Sequence, residues 1–229
     1  MCGRYTLARA DPARLRERWP IGERLEVRRR FNVAPGDDVL AVVRRGEDAE
    51  PEGALLRWGL VPFWASDPGE VGARTINARA ETVAERPAYR DAFARRRCLI
   101  LADGFYEWSD GQPHWITRSD GEPFAFAGLW STWRPRGAGR DVEPLRSCAI
   151  VTTAAAGPVR SLHDRMPVIL APEQESLWID PSAPADELHA VCAPDAAPEL
   201  ASRPVSRVVN DAQHDAPDCL DPPEQGALF

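Results

Sequence analysis

Cys2 stands next to the start of the chain, in the opening Met1-Cys2-Gly3-Arg4-Tyr5. A small residue at position 2 lets the initiator methionine be trimmed. Trimming would leave an α-amine and a thiol on adjacent carbons, with reference pKa values of about 8 and about 8.5, so both are partly nucleophilic near neutral pH. Such a pair condenses with an aldehyde to an imine, which sulfur then closes to a thiazolidine. Met-Cys by itself is equally explained by where translation starts, so the partner groups decide.

Four further segments place polar residues among apolar ones in ways a packed core does not need. In Asn77-Ala78-Arg79-Ala80-Glu81, alternation sets Asn77, Arg79 and Glu81 on one side, which suits phosphate and sugar contacts or a solvated ion pair. In Asp103-Gly104-Phe105-Tyr106-Glu107-Trp108, Glu107 lies between two aromatic residues. It either points to water or loses solvation, and the second case raises its pKa and fits it for acid/base work. His163, in Leu162-His163-Asp164-Arg165-Met166-Pro167, has an acid and a guanidinium beside it and can move protons near neutral pH. Finally, Arg57-Trp58-Gly59-Leu60-Val61-Pro62-Phe63-Trp64 offers core aromatics or a stacking platform, with Trp58 expected in the core. Trp64 is a candidate for stacking unpaired bases, with Arg57 and Arg74 reaching a backbone.

These groups need a scaffold. Short β-like runs recur at Cys2–Leu7, Val39–Arg44, Leu55–Leu60, Cys98–Ala102, Trp115–Arg118, Phe124–Trp130, Cys148–Thr153 and Val205–Val209. Asp11-Pro12 reads as an N-cap and first turn of a helix reaching Trp19. Pro87 opens a second helix, with Tyr89 and Phe93 on one face, and Glu173–Ile179 and Ala185–Cys192 are shorter ones. Ser66–Gly72 and Arg134–Glu143 read as exposed loops. Many strands without regular βαβ alternation predict an α+β fold on a curved, largely antiparallel sheet with peripheral helices.

The 229 residues suit one domain, and no run approaches the roughly 18 apolar residues of a membrane span. A cytoplasmic protein is expected, associated with the nucleoid if bacterial. The five cysteines are widely spaced and form no C-x-x-C pair, so neither a disulfide framework nor a metal site is expected. No cofactor is implied. Net charge is −7, but residues 1–172 hold 26 Arg against 23 acids while residues 173–229 hold 2 Arg against 12 acids. Every basic residue is Arg, the side chain suited to bidentate phosphate contact. The charge distribution thus permits a nucleic-acid face on the first three quarters of the chain.

Taken in order, the segments quoted above, with Phe31-Asn32-Val33-Ala34-Pro35, Arg97-Cys98-Leu99-Ile100 and Ala127-Gly128-Leu129-Trp130, closely resemble the SOS-response-associated peptidase (SRAP) domain, a family of abasic site processing proteins. The likeness covers about residues 2–215. It implies one barrel-like α+β domain, residues 1–215, that binds single-stranded DNA containing abasic sites, and leaves 216–229 as an acidic Pro-rich tail expected to be disordered. It also implies capture of the lesion by the N-terminal cysteine as a thiazolidine cross-link, with self-removal of Met1 and lyase side activity. Carried onto this chain, Cys2 is the nucleophile and Asn77, Glu107 and His163 complete the site. Arg79, with Arg4 and Arg165, would hold phosphates. A monomer with no obligate protein partner is expected. Leu101 departs from the pattern, which often has Pro there, with no chemical consequence expected.

The rival reading is an N-terminal-nucleophile amidohydrolase of the glutaminase kind, which also opens Met-Cys-Gly. That mechanism has no use for a distant Glu and His pair, so the Asp103–Trp108 and His163–Pro167 segments favour abasic-site capture. A third reading, a noncatalytic single-strand binding module using Trp64 and the arginines, predicts reversible, salt-sensitive binding indifferent to Cys2.

Overall fold

A computed structural model describes residues 2–224 apart from Ala10, Glu47 and Arg140. The first half of the chain supplies β1 (Tyr5–Leu7), α1 (Pro12–Arg18), β2 (Arg30–Val33), β3 (Asp38–Val43), β4 (Glu52–Trp58), α2 (Pro68–Arg74), β5 (Asn77–Arg79) and α3 (Arg90–Arg95). Then come β6 (Arg97–Ala102), β7 (Gly104–Ser109), β8 (Gln112–Arg118), β9 (Phe124–Trp133) and β10 (Leu145–Ala154). The last part adds β11 (Arg165–Pro167), β12 (Ile169–Leu170), α4 (Pro172–Ile179), α5 (Ala185–Val191) and β13 (Leu200–Pro204). The α+β class and the barrel-like, mostly antiparallel core are as expected.

One sheet runs β13-β8-β7-β1-β2. In the other, β10, β4, β3, β6 and β9 pair in succession, and β9 pairs back onto β10, closing a five-stranded ring. Alternation gives the ring strands two buried faces. Leu99, Leu101, Ala127, Leu129 and Val151 pack with Leu15 of α1, Phe93 of α3, Trp178 of α4 and Leu188 of α5. Cys98, Ile100, Phe124, Phe126 and Ile150 pack on the other side with Tyr5, Phe105 and Ile116 from the first sheet and with Cys2 just before it.

β10 is used twice along its length. Its first part lies between β4 and β9, with Cys148 opposite both Trp58 and Trp130. Its second part carries β5 on one edge and β11 on the other, so Thr152 stands opposite both Arg79 and Pro167. Two segments far apart in sequence are thereby laid side by side.

Four expectations need correction. Residues 66–72 are not all loop: Asp67 accepts the Gly69 and Glu70 N–H groups and Pro68 takes the first turn of α2, the N-cap chemistry of a helix. The second helix starts at Arg90, not Pro87: residues 87–89 still form a turn, and Tyr89 takes the N-cap position without a side-chain capping bond. Val205–Val209 is no strand. The edge strand is β13 just before it, and Ser206 caps a 3₁₀ turn over Arg207–Asn210 that buries Val205 and Val209 on Tyr106 and Trp115. Nor is the chain disordered from Pro217 onward: Pro217–Leu220 forms a 3₁₀ turn with Cys219 fully buried in that same cluster, while residues 225–229 lie outside the described ones. Among the described residues, no helix is long and apolar enough to cross a membrane.

Candidate active site

Cys2 is fully buried against the second face of the ring. Two elements hold it there. β1 pairs antiparallel with β7, Tyr5 opposite Phe105, and the Tyr106 N–H donates to the Arg4 carbonyl at 3.0 Å. From β5, the Asn77 Nδ2 donates to the Cys2 carbonyl at 2.8 Å, while the Tyr89 hydroxyl donates to the Asn77 carbonyl at 2.9 Å. Asn77 thus grips the backbone of Cys2, and its Oδ1 has no hydrogen-bond partner among the described residues.

Glu107 is 3% exposed. Alternation along β7 sends Tyr106 outward onto Trp115 and the C-terminal turns, and Glu107 follows Phe105 toward the face that holds Cys2. Its desolvation therefore comes from the two-sheet interior and not from its aromatic sequence neighbours. Burial pushes its carboxyl up to about 7, with the Asp164 charge adding to the rise. The Cys2 thiol is pushed well up, first by burial and then by the Glu107 charge. A carboxyl titrating near neutral pH beside a buried thiol is equipped to exchange protons with groups at Cys2.

His163 sits on the loop before β11, with Nδ1 2.9 Å from the Arg165 backbone nitrogen and 2.8 Å from Asp164 Oδ1. A neutral ring accepts the Arg165 N–H there, and a protonated ring donates to Asp164 instead. Both protonation states have a partner. The same loop sends the Asp164 charge onto Glu107, so β7 and the β10–β11 connection converge on one place.

The arginines divide. Arg79 is exposed on β5, and its guanidinium makes no hydrogen bond to another described residue. Arg165 forms a two-pronged pair with Glu81 at 2.5 and 2.9 Å and donates to the Thr152 carbonyl at 2.7 Å. That pair holds Glu81 below the usual carboxylate range. Arg4 turns inward, donating to Asn32 Oδ1 at 2.8 Å and to the Val209 carbonyl at 2.7 Å. Arg74 bonds Glu70 one helical turn away, both well exposed. Trp64 is 45% exposed and Phe63 65%, whereas Trp58 is buried.

Asn32 and Asp164 were not singled out from sequence. Asn32 is fully buried, and its Nδ2 lies within donating distance of the carbonyls of Val209, Asp211 and His214, tying β2 and Arg4 to the C-terminal turns. Its position inside the Phe31–Pro35 segment was the available signal. One group of possible metal ligands lies together among the described residues: His214, Asp218 and Cys219, within 4.8 Å of one another, with His214 Nε2 2.7 Å from Asp218 Oδ1.

The raised carboxyl carries a stability consequence. Unfolded, Glu107 titrates near 4.5; folded, near 7. Between these values the folded state keeps a proton the unfolded chain has lost, so stability falls as pH rises through this window. Glu107→Gln should therefore melt higher than wild type at pH 8, by a free energy on the order of 2 kcal/mol, with the gap closing toward pH 4.5. Thermal melts across pH check this, and a gap that does not vary with pH would refute the shifted carboxyl.

A model of the SOS response associated peptidase (SRAP) family matches residues 1–212. Abasic site processing protein YoaM of Bacillus subtilis is 37% identical over 232 residues, covering 96% of this chain and 98% of that protein. Abasic site processing protein HMCES of Gallus gallus is 32% identical, covering 99% of this chain and 79% of that protein. A crystal structure of a Bacteroides thetaiotaomicron protein superposes with a TM-score of 0.80 at 22% identity, covering 96% and 99% of the two chains, which supports the fold.

Proposed function

As the chain belongs to the SRAP family, we propose that it senses abasic sites in single-stranded DNA and captures them covalently through Cys2 once Met1 is removed. The observation that carries this reading is the meeting of a buried N-terminal cysteine, an amide gripping its backbone and a carboxyl pushed up to about 7 on the facing strand.

An abasic sugar is mostly a closed hemiacetal, and its ring must open to expose the C1′ aldehyde. His163 moves the proton at the ring oxygen. The Cys2 amine, accepted by Asn77 Oδ1, adds to C1′ to give a carbinolamine. Glu107 donates a proton as the hydroxyl leaves as water, forming the imine. As a carboxylate it then takes the thiol proton, and sulfur adds to C1′ to close the five-membered ring. Aldehyde, amine and thiol become thiazolidine plus one water. Holding the strand makes the condensation effectively intramolecular. The same imine offers a route to loss of the 3′ phosphate by β-elimination, which is the lyase side activity expected.

The amidohydrolase alternative makes no use of Glu107 or His163. The separating experiment incubates the protein with single-stranded DNA carrying one abasic site and resolves the products on a denaturing gel. A slower band with abasic DNA and none with intact DNA is expected. Its absence where binding is demonstrated would overturn the proposal.

Of the phosphate-holding candidates, Arg79 is exposed with a guanidinium that bonds no described residue, whereas the Arg4 and Arg165 guanidiniums already bond within the protein. Arg79→Ala should weaken binding of intact single-stranded DNA and lower the slope of log affinity against log salt by about one unit or less, the contribution of one phosphate contact. Unchanged affinity and slope would remove Arg79 from the interface.

A further inference from the structure

At the end of β6 away from the turn into β7, a cavity of about 250 Å³ is lined by Arg44, Arg45, Arg95, Arg96, Trp130 and Pro181. β3 ends just before Arg44, α3 ends at Arg95 with Arg96 as its C-cap, and the Trp130 backbone N–H donates to the Arg96 carbonyl at 2.8 Å, tying β9 to that wall. No carboxylate lines it among the described residues. Of the nearby acids, Asp91 pairs with Arg96 and Glu52 with Arg45, while Asp180 Oδ1 accepts from Ser182 and its charge also acts on Arg44 from beyond ion-pair distance. Arg44 and Arg95 have no such ion pair among the described residues.

Three buried donors on this wall have no acceptor among the described residues: Arg44 Nε, Arg96 Nε and the indole Nε1 of Trp130, a residue only 7% exposed. Buried N–H groups without acceptors are uncommon and costly, and these three belong to residues that line one basic cavity. Guanidinium and indole N–H groups donate and never accept, so the partner they lack is an acceptor, and among several guanidinium charges an oxyanion suits that role best.

We propose that this cavity is a phosphate-binding site, separate from the Cys2 site and held by Arg44, Arg95 and the Trp130 indole. The phosphate comes either free or on the backbone of a nucleic acid, and the chemistry of recognition is the same.

The test titrates inorganic phosphate into the whole protein, by calorimetry in a buffer of weakly binding anions. Saturable binding is expected, weakened at least about tenfold in the Arg44→Gln/Arg95→Gln double variant, since charge-assisted hydrogen bonds are lost. Trp130→Phe, which deletes the indole N–H, should weaken it several-fold. An intact single-stranded oligonucleotide that displaces phosphate, and loses affinity in the double variant, identifies the backbone as the source; one that does not compete identifies free phosphate. A cavity that holds water alone gives no saturable binding by wild type, and that result overturns the proposal. So does equal phosphate affinity in a double variant with a native circular dichroism spectrum. No abasic site is used, so this outcome is independent of the chemistry at Cys2.

Discussion

Cys2→Ser protein should give no denaturant-stable adduct with abasic single-stranded DNA, while still giving one that borohydride traps. The serine variant keeps the α-amine, so imine formation and its reduction remain open. It lacks the sulfur whose addition to C1′ turns a hydrolysable imine into a thiazolidine. The expected contrast is near-complete: a persistent band for wild type, and for the variant a band only when reductant is present during the reaction. The companion variant keeps one uncleaved residue ahead of Cys2, which converts the amine to an amide and should abolish both products. Intact-mass measurement of the active wild type should accordingly show Met1 absent. Adducts of equal stability from wild type and Cys2→Ser would take sulfur out of the mechanism, and a fully active protein retaining Met1 would end it.

The second large effect separates His163 from Glu107. If His163 serves the sugar oxygen, His163→Ala should slow capture of a natural abasic site, which is mostly closed. It should also slow release of the cross-link, because the reverse path recloses the same ring. On an aldehyde analogue that cannot cyclise, His163→Ala should be near wild type. Glu107→Gln should be slow on both substrates, because imine and ring formation need its proton transfers whatever the aldehyde. General acid/base groups typically contribute about 10²- to 10⁴-fold, so a time course resolves the pattern. Loss of Glu107 should also remove any rate dependence on a group titrating near 7, the value to which burial pushes it. Identical defects of both variants on both substrates would mean the two roles are misassigned even where the cross-link itself is confirmed.

The chemistry-bearing residues were legible because they are local: a cysteine beside the chain start, a carboxylate after a Gly turn, a histidine in a segment with little helix or strand signal. So were the ring strands β6, β9 and β10, since long apolar runs such as Cys98–Ala102 need burial on both faces. Period-2 alternation established that Glu107 and its aromatic neighbours point to opposite sides of β7. It could not establish which side faces Cys2, because both sides are buried, one by the ring and the other by the C-terminal turns. Val205 and Val209 misled for a related reason. Four-residue spacing fits a strand's alternation as well as one turn, and the choice fell to the cluster around Tyr106 and Trp115 and to the Ser206 cap.

Arg165 shows the limit most plainly. In sequence, Glu81 has Arg79 two residues away, and an ion pair between them was one of the two local readings. In the fold, β5 and β11 flank the same stretch of β10, which brings Arg165 to Glu81 across 84 residues and leaves Arg79 exposed. The sequence by itself determined the residue types and thus the chemistry on offer. Only tertiary structure decided which charges are consumed internally and which face outward, because that depends on strand pairing between distant segments, where local propensity carries no information.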